Sequence, residues 1–270
     1  MTTDLLKTKF ARIGARMKVN ESTHRGWGVR NPSNLVRLDV RTDRHGEFFQ
    51  IDQPPNSEAG LEILDVQPDD RHLLLMVRDQ GAKHKFLCGH DERHWFVAAV
   101  PESAPVGTVR AAKEALKPPA VRTAQARLHL RAEIRNRRKN PAFRRQGEWF
   151  FVPEPDLVVD PIRVLRDEPI RRGGGKPHWA EFCYRTGGES VHVCSRHRNG
   201  LTEAEYRKTI EADPKARSWG WQVMRRDAGV YVRGRISHAD HRTITLTCWH
   251  QVLMNTENQA QAMRHVAFLD

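Results

Sequence analysis

The chain has 270 residues, 45 Lys+Arg against 33 Asp+Glu, a formal charge of +12 and a pI near 10. An apolar content of 39% supplies a core and excludes wholesale disorder. Four cysteines are too few for a disulfide framework, and no apolar run approaches the ~18 residues that span a bilayer, so the expected setting is the cytoplasm with no membrane contact.

Residues 1–30 are basic and read as a loosely packed leader to the fold. Leu35–Asp52 predicts a hairpin: Val36, Leu38 and Val40 alternate with charged residues, Asp43-Arg-His-Gly46 turns, and Phe48–Ile51 returns. Pro54-Pro55 marks a loop. Leu61–Val66, Leu73–Arg78, Lys85–Gly89 and His94–Val100 are four more runs of strand length. Beyond Pro101, Val109–Leu116 has helical spacing, and Ala120–Lys139, free of Gly and Pro, predicts a longer helix stopped at Asn140-Pro141.

Glu148–Val152 predicts a strand. Ala180–Cys194 predicts a hairpin closed at Gly187-Gly188, because a two-residue turn favours glycine at both centres. Thr202-Glu-Ala-Glu205 fits a capping box opening a helix that ends near Asp213-Pro214. Val230–Ile236 and Thr243–Met254 close the chain as a hairpin about Ser237–His241. The fold class is α+β: two β-rich lobes, residues 1–105 and 144–270, joined by a basic helical connector, 106–143.

Arg145-Gln-Gly-Glu-Trp-Phe-Phe-Val-Pro153 opens the C-terminal half, and His238-Ala-Asp-His241, Ile244-Thr-Leu246 and Trp249-His250 close it. This part resembles a group of small bacterial and phage proteins with an Arg-Gln-Gly-Asp-type opening strand and a His-x-x-His closing hairpin. Here Glu148 stands in place of the Asp, and the group's Gly-His-x-His element survives only as Gly173–His178. The resemblance implies a compact β-rich unit and no particular chemistry.

Between Arg110 and Arg145 stand twelve basic residues and two acids, a local charge of +10 out of +12. On a continuous helix Arg127, Arg131, Arg135 and Arg138 share one narrow face, where like charges repel until a polyanion neutralises them. Arginine also forks onto phosphate and stacks on bases. Arg122, Arg127, Arg131, Arg135, Arg137, Arg138, Lys139, Arg144 and Arg145 are therefore the expected nucleic-acid contacts, with RNA favoured over DNA. Arg25-Gly-Trp27, Arg217-Ser-Trp-Gly-Trp221 and Arg225-Arg226 add aromatic rings among cations, a combination suited to single strands. A solvated helix face, and contact with an acidic protein or a membrane surface, are the alternatives for the same charge.

Two kinds of site can carry chemistry. If the 180–194 segment is a hairpin, Cys183 faces His192 and Glu181 faces Cys194, all on one side; two thiolates, an imidazole and a carboxylate suit zinc. The polar turns hold His90 and Asp91, and His238, Asp240 and His241, each able to position a metal-bound water or a general acid–base pair. His178-Trp-Ala-Glu181 without a paired Cys motif excludes a zinc deaminase, and no Gly-x-Ser-x-Gly elbow is present. The leading expectation is a nucleic-acid-binding protein; the alternatives are a metal-dependent enzyme such as a nuclease, or a non-catalytic subunit of a protein complex.

Overall fold

A computed structural model describes residues 2–21, 35–55, 57–79, 81–103, 105–172 and 175–266. The Arg25-Gly-Trp27 segment lies outside them.

The chain opens with helix α1 (Thr3–Arg12) and strand β1 (Met17–Glu21), so its start is packed rather than loose. Thr2 caps α1 through the Leu5 amide, and Leu6 and Phe10, one turn apart, are both buried. Strands β2 (Arg37–Asp43) and β3 (Gly46–Gln53) form the expected hairpin, and β1 adds to β3 in parallel. Strands β4 (Gly60–Gln67), β5 (His72–Asp79), β6 (Ala82–Asp91) and β7 (His94–Val100) follow as an antiparallel meander. Leu73, Leu75 and Val77 of β5 join the core with Phe10, Phe49 and Phe86, while Leu74, on the opposite face, packs with Leu87, Ala98 and helix α2 (Val109–Ala115). The continuous apolar run of β5 is thus a strand covered on both faces.

The predicted long helix does not form. Helix α3 (Pro119–Arg127) ends at Leu128, His129 takes a φ of 46°, and a single turn, α4 (Ala132–Arg135), follows. Buried Gln125 donates to the Arg135 carbonyl at 2.6 Å, and buried Lys117 reaches the same oxygen at 3.0 Å. Satisfying these two polar groups folds the segment back on itself, which a straight helix cannot do. Arg127, Arg131, Arg135 and Arg138 therefore do not share a helical face, and Lys139 belongs to strand β8 (Lys139–Asn140).

Strands β9 (Phe143–Gln146), β10 (Trp149–Pro153), β11 (Leu165–Ile170), β12 (His178–Thr186), β15 (Gly229–Ser237) and β16 (Ile244–Met254) join β8 in a seven-stranded sheet of order β11-β12-β15-β16-β10-β9-β8. Between β12 and β15 the chain makes an excursion through β13 (Glu189–Val193), helix α5 (Glu203–Ala212) and β14 (Gln222–Arg226). The capping box at Thr202 and Glu205 is present.

The Ala180–Cys194 hairpin is not. Strand β12 pairs with β11 and β15, whereas β13 pairs with β14 in a separate two-stranded sheet. Ala180, Cys183 and Tyr184 are buried, so β12 takes a central place between two strands, while β13 begins with exposed Glu189 and Ser190. The architecture is α+β with several sheets.

The tail returns to the start of the fold. The Thr256 hydroxyl donates to the Ala115 carbonyl at 2.7 Å, and Ala260 and Ala262 lie in the same core as Leu6 and Phe49. Glu102 accepts the Gln261 and Ala262 amides at 2.9 Å each. Among the described residues no helix is long and apolar enough to cross a membrane.

Candidate metal centre

The register Trp179↔Ser237 between β12 and β15 sets His178 and His238 opposite one another at the end of the sheet. Their rings stack at 4.2 Å between centroids, 21° from parallel. The turn to β16 then brings in His241, 4.8 Å from His238 and 5.6 Å from His178. One ring nitrogen from each of the three lies within 4.8 Å of the others, so the group can hold a metal ion.

Three features build the pocket around these rings. His178 is 2% exposed, and neither of its ring nitrogens has a hydrogen-bond partner. An unpaired buried polar group costs about 1–3 kcal/mol, which a metal bond would recover. Trp149 stands edge-on to His178 at 6.4 Å. Gly147, in the turn between β9 and β10, has a φ of +57°, and a Cβ there would meet His241 Nε2 at 2.8 Å and His178 Nε2 at 3.6 Å. The backbone thus passes where both Nε2 atoms converge, and only glycine fits.

Two groups hold the closing turn. Gln146, fully buried, donates to the Arg242 carbonyl at 2.8 Å. Glu92, from the turn between β6 and β7, accepts the Arg242 amide at 2.8 Å and lies 3.7 Å from His241 Nδ1. A carboxylate behind a metal-ligating imidazole fixes its orientation and raises its basicity. His238 Nδ1 accepts the Asp240 amide at 3.1 Å.

The electrostatics keep His178 and His241 neutral. Burial, then repulsion from His238 and His241, pushes the His178 pKa down to about 3. Burial and His238 bring His241 down to about 4, against a smaller opposing pull from Glu92. Neutral imidazole is the form that ligates metal. Asp240 is turned away: its carboxylate grips Lys176 at 2.8 Å, which holds its pKa below the usual range.

The structure gathers only part of what the sequence nominates. His238 and His241 belong to the centre, and Asp240 flanks it without joining the three. His90 packs edge-on against Trp95 at 4.9 Å, and buried Asp91 pairs with Arg138 and, at 3.4 Å, with Arg145. The proposed Cys183–His192–Cys194–Glu181 set is dispersed, because it required β12 to pair with β13. Cys183 faces Val232 and Leu165, and burial lifts its thiol to about 11. His192 binds Glu203 at 2.7 Å, and Glu181 accepts the Arg235 amide at 2.8 Å.

The connector's charge divides in two. Arg138 also meets Glu92 at 2.5 Å, and burial lowers its pKa to about 10. Arg122, Arg127, Arg131, Arg137 and Lys139 are exposed and have no acidic partner among the described residues; Arg135 and Arg144 are half-buried. A cavity of about 790 Å³ is lined in part by His72, Lys113, Arg137, Arg138 and Glu92, the last of which lies 3.7 Å from His241 Nδ1.

His178 is the residue sequence reasoning missed as a partner of His238 and His241. The numbers 178 and 238 become opposite only once β12 is paired with β15. No family model, curated protein or solved structure was found to match this chain.

Proposed function

We propose that His178, His238 and His241 hold a divalent metal ion of the zinc class, and that the protein binds nucleic acid beside it. The observation that carries the metal reading is buried His178, with both ring nitrogens unpaired and the imidazoles of His238 and His241 in reach. Three protein ligands are the number found in catalytic zinc sites, where water takes the fourth position and becomes a nucleophile near neutral pH. Exposed Arg137, which lines the same cavity as Glu92, would hold phosphate on the side of the centre where Glu92 stands. The reaction class this supports is metal-assisted phosphodiester hydrolysis. Four unpaired cysteines suit a reducing cytoplasm.

The test is metal content by mass spectrometry of protein purified without chelator, followed by incubation with labelled single- and double-stranded RNA and DNA in Zn²⁺, Mn²⁺ or Mg²⁺. Near-stoichiometric zinc, lost in His178→Ala and His241→Ala, is the expected result. Wild-type protein that takes up no metal at pH 7.5 overturns the centre. Metal without cutting leaves a binding protein with a structural metal, a reading the exposed cations support on their own.

A further inference from the structure

The excursion between β12 and β15 carries an aromatic cluster remote in sequence from the histidine centre. His197 lies nearly parallel to Trp221 at 5.5 Å and to Trp219 at 5.9 Å, and the two indoles lie 6.0 Å apart at 26°. Trp221 is anchored: its indole N–H donates to the Ala216 carbonyl at 2.7 Å, and Tyr206 meets it edge-on at 5.1 Å. Trp219 is half-exposed.

The rim of this cluster is cationic. The Arg196 guanidinium lies over Trp219 at 4.2 Å, and Arg196, Arg198, Lys215 and Arg217 are all exposed with no ion-pair partner among the described residues. The nearest acid in sequence, Asp213, is occupied in accepting the Lys215 amide at 3.0 Å. The loop Ser195–Leu201 bounds an open cavity of about 510 Å³ beside these groups. Parallel rings with a cationic rim repel a quaternary ammonium, the other common guest of an aromatic cluster, and attract a flat, anionic one.

We propose that Trp219, supported by Trp221 and His197, is a stacking platform for unpaired bases: an incoming base takes the ring face that Arg196 covers, and Arg196 swings off it to join Arg198 and Arg217 on the flanking phosphates. The proposal rests on the nucleic-acid reading above and names its form: a single strand, bound at residues 195–221 rather than at the connector alone. Bases must be unstacked to lie on an indole, so a duplex gains nothing from this surface.

The experiment measures fluorescence anisotropy of a labelled 12-nucleotide uridine oligomer and of a labelled 12-base-pair RNA duplex with the full-length protein. In Trp219→Ala the single strand binds at least about 10-fold more weakly, the duplex binds as to wild type, and Trp219→Phe regains most of the loss. Unchanged duplex affinity also shows that the variant is folded. If wild type binds the single strand and Trp219→Ala binds it equally well, the platform is refuted while the nucleic-acid reading stands. If wild type binds only the duplex, the platform is likewise refuted. If wild type binds neither, both readings fall together.

Discussion

Gly147→Ala changes no candidate ligand, yet it strikes the place where two of them converge. Its φ of +57° is the left-handed region, where a side chain costs about 1 kcal/mol. The new methyl would stand 2.8 Å from His241 Nε2, inside ordinary contact at 3.4 Å, so the ring must retreat by about 0.6 Å. Metal–ligand distances tolerate about 0.2 Å. Zinc affinity should therefore fall about 10- to 100-fold, the range seen when an outer-shell support is lost. Gly187→Ala is the control: its φ is +68°, the backbone cost is the same, and nothing lies within 4 Å of its Cβ. Competition with a chromophoric chelator gives the zinc affinity, and thermal unfolding of the metal-free proteins gives the backbone cost. If both variants lose similar stability and Gly147→Ala keeps wild-type zinc affinity, His241 does not ligate through Nε2.

The remaining predictions concern charge. Buried His72, with its pKa brought down to about 4 chiefly by burial, is neutral in the fold, whereas the unfolded chain protonates it near 6.5. The unfolded state thus binds more protons between pH 6.5 and 4, stability falls as the pH drops through that window, and the loss is on the order of 3 kcal/mol. Urea midpoints of metal-free protein at pH 7, 6, 5 and 4 should decline, and a flat profile would contradict the burial argument. Replacing Arg127, Arg131 and Arg137 with Ala should flatten the slope of log K against log salt by about 2–3 units without altering stability. Arg138→Ala should instead destabilise the protein, because it leaves buried Asp91 without one of its cationic partners; equal stability of the two variants would refute the division of the connector's charge.

The strands were legible wherever apolar residues alternated or ran unbroken, as in Val36–Val40 and Leu73–Val77, because that pattern reflects which face meets the core. The capping box at Thr202 was equally plain, since its hydrogen bonds are local. Two expectations failed for a common reason. The Gly187-Gly188 turn satisfies local geometry, with both φ values positive, but partner choice was decided by burial of β12 between distant strands. The 120–139 helix satisfies local propensity, but buried Lys117 and Gln125 needed the Arg135 carbonyl. The His-x-x-His pair was visible in sequence. Its third member, sixty residues before His238, and Glu92, from a turn in the first half, depend on tertiary pairing that no local spacing encodes.

Ala260 and Ala262 sit in the core built around Phe10 and Phe49. A chain made at about 5–20 residues per second offers Val100 to the solvent roughly 10–30 s before Ala262 emerges from the ribosome. Throughout that interval the early sheets have strands and a hydrophobic face but no lid, and the turn bearing Glu92 has no Arg242 to receive. Completion of the first core and assembly of the histidine centre thus both wait on residues 238–262, made well after the first sheets. A truncation before residue 260 or a bulky fusion close behind residue 262 would act on the first half of the molecule, far away along the chain from the change itself.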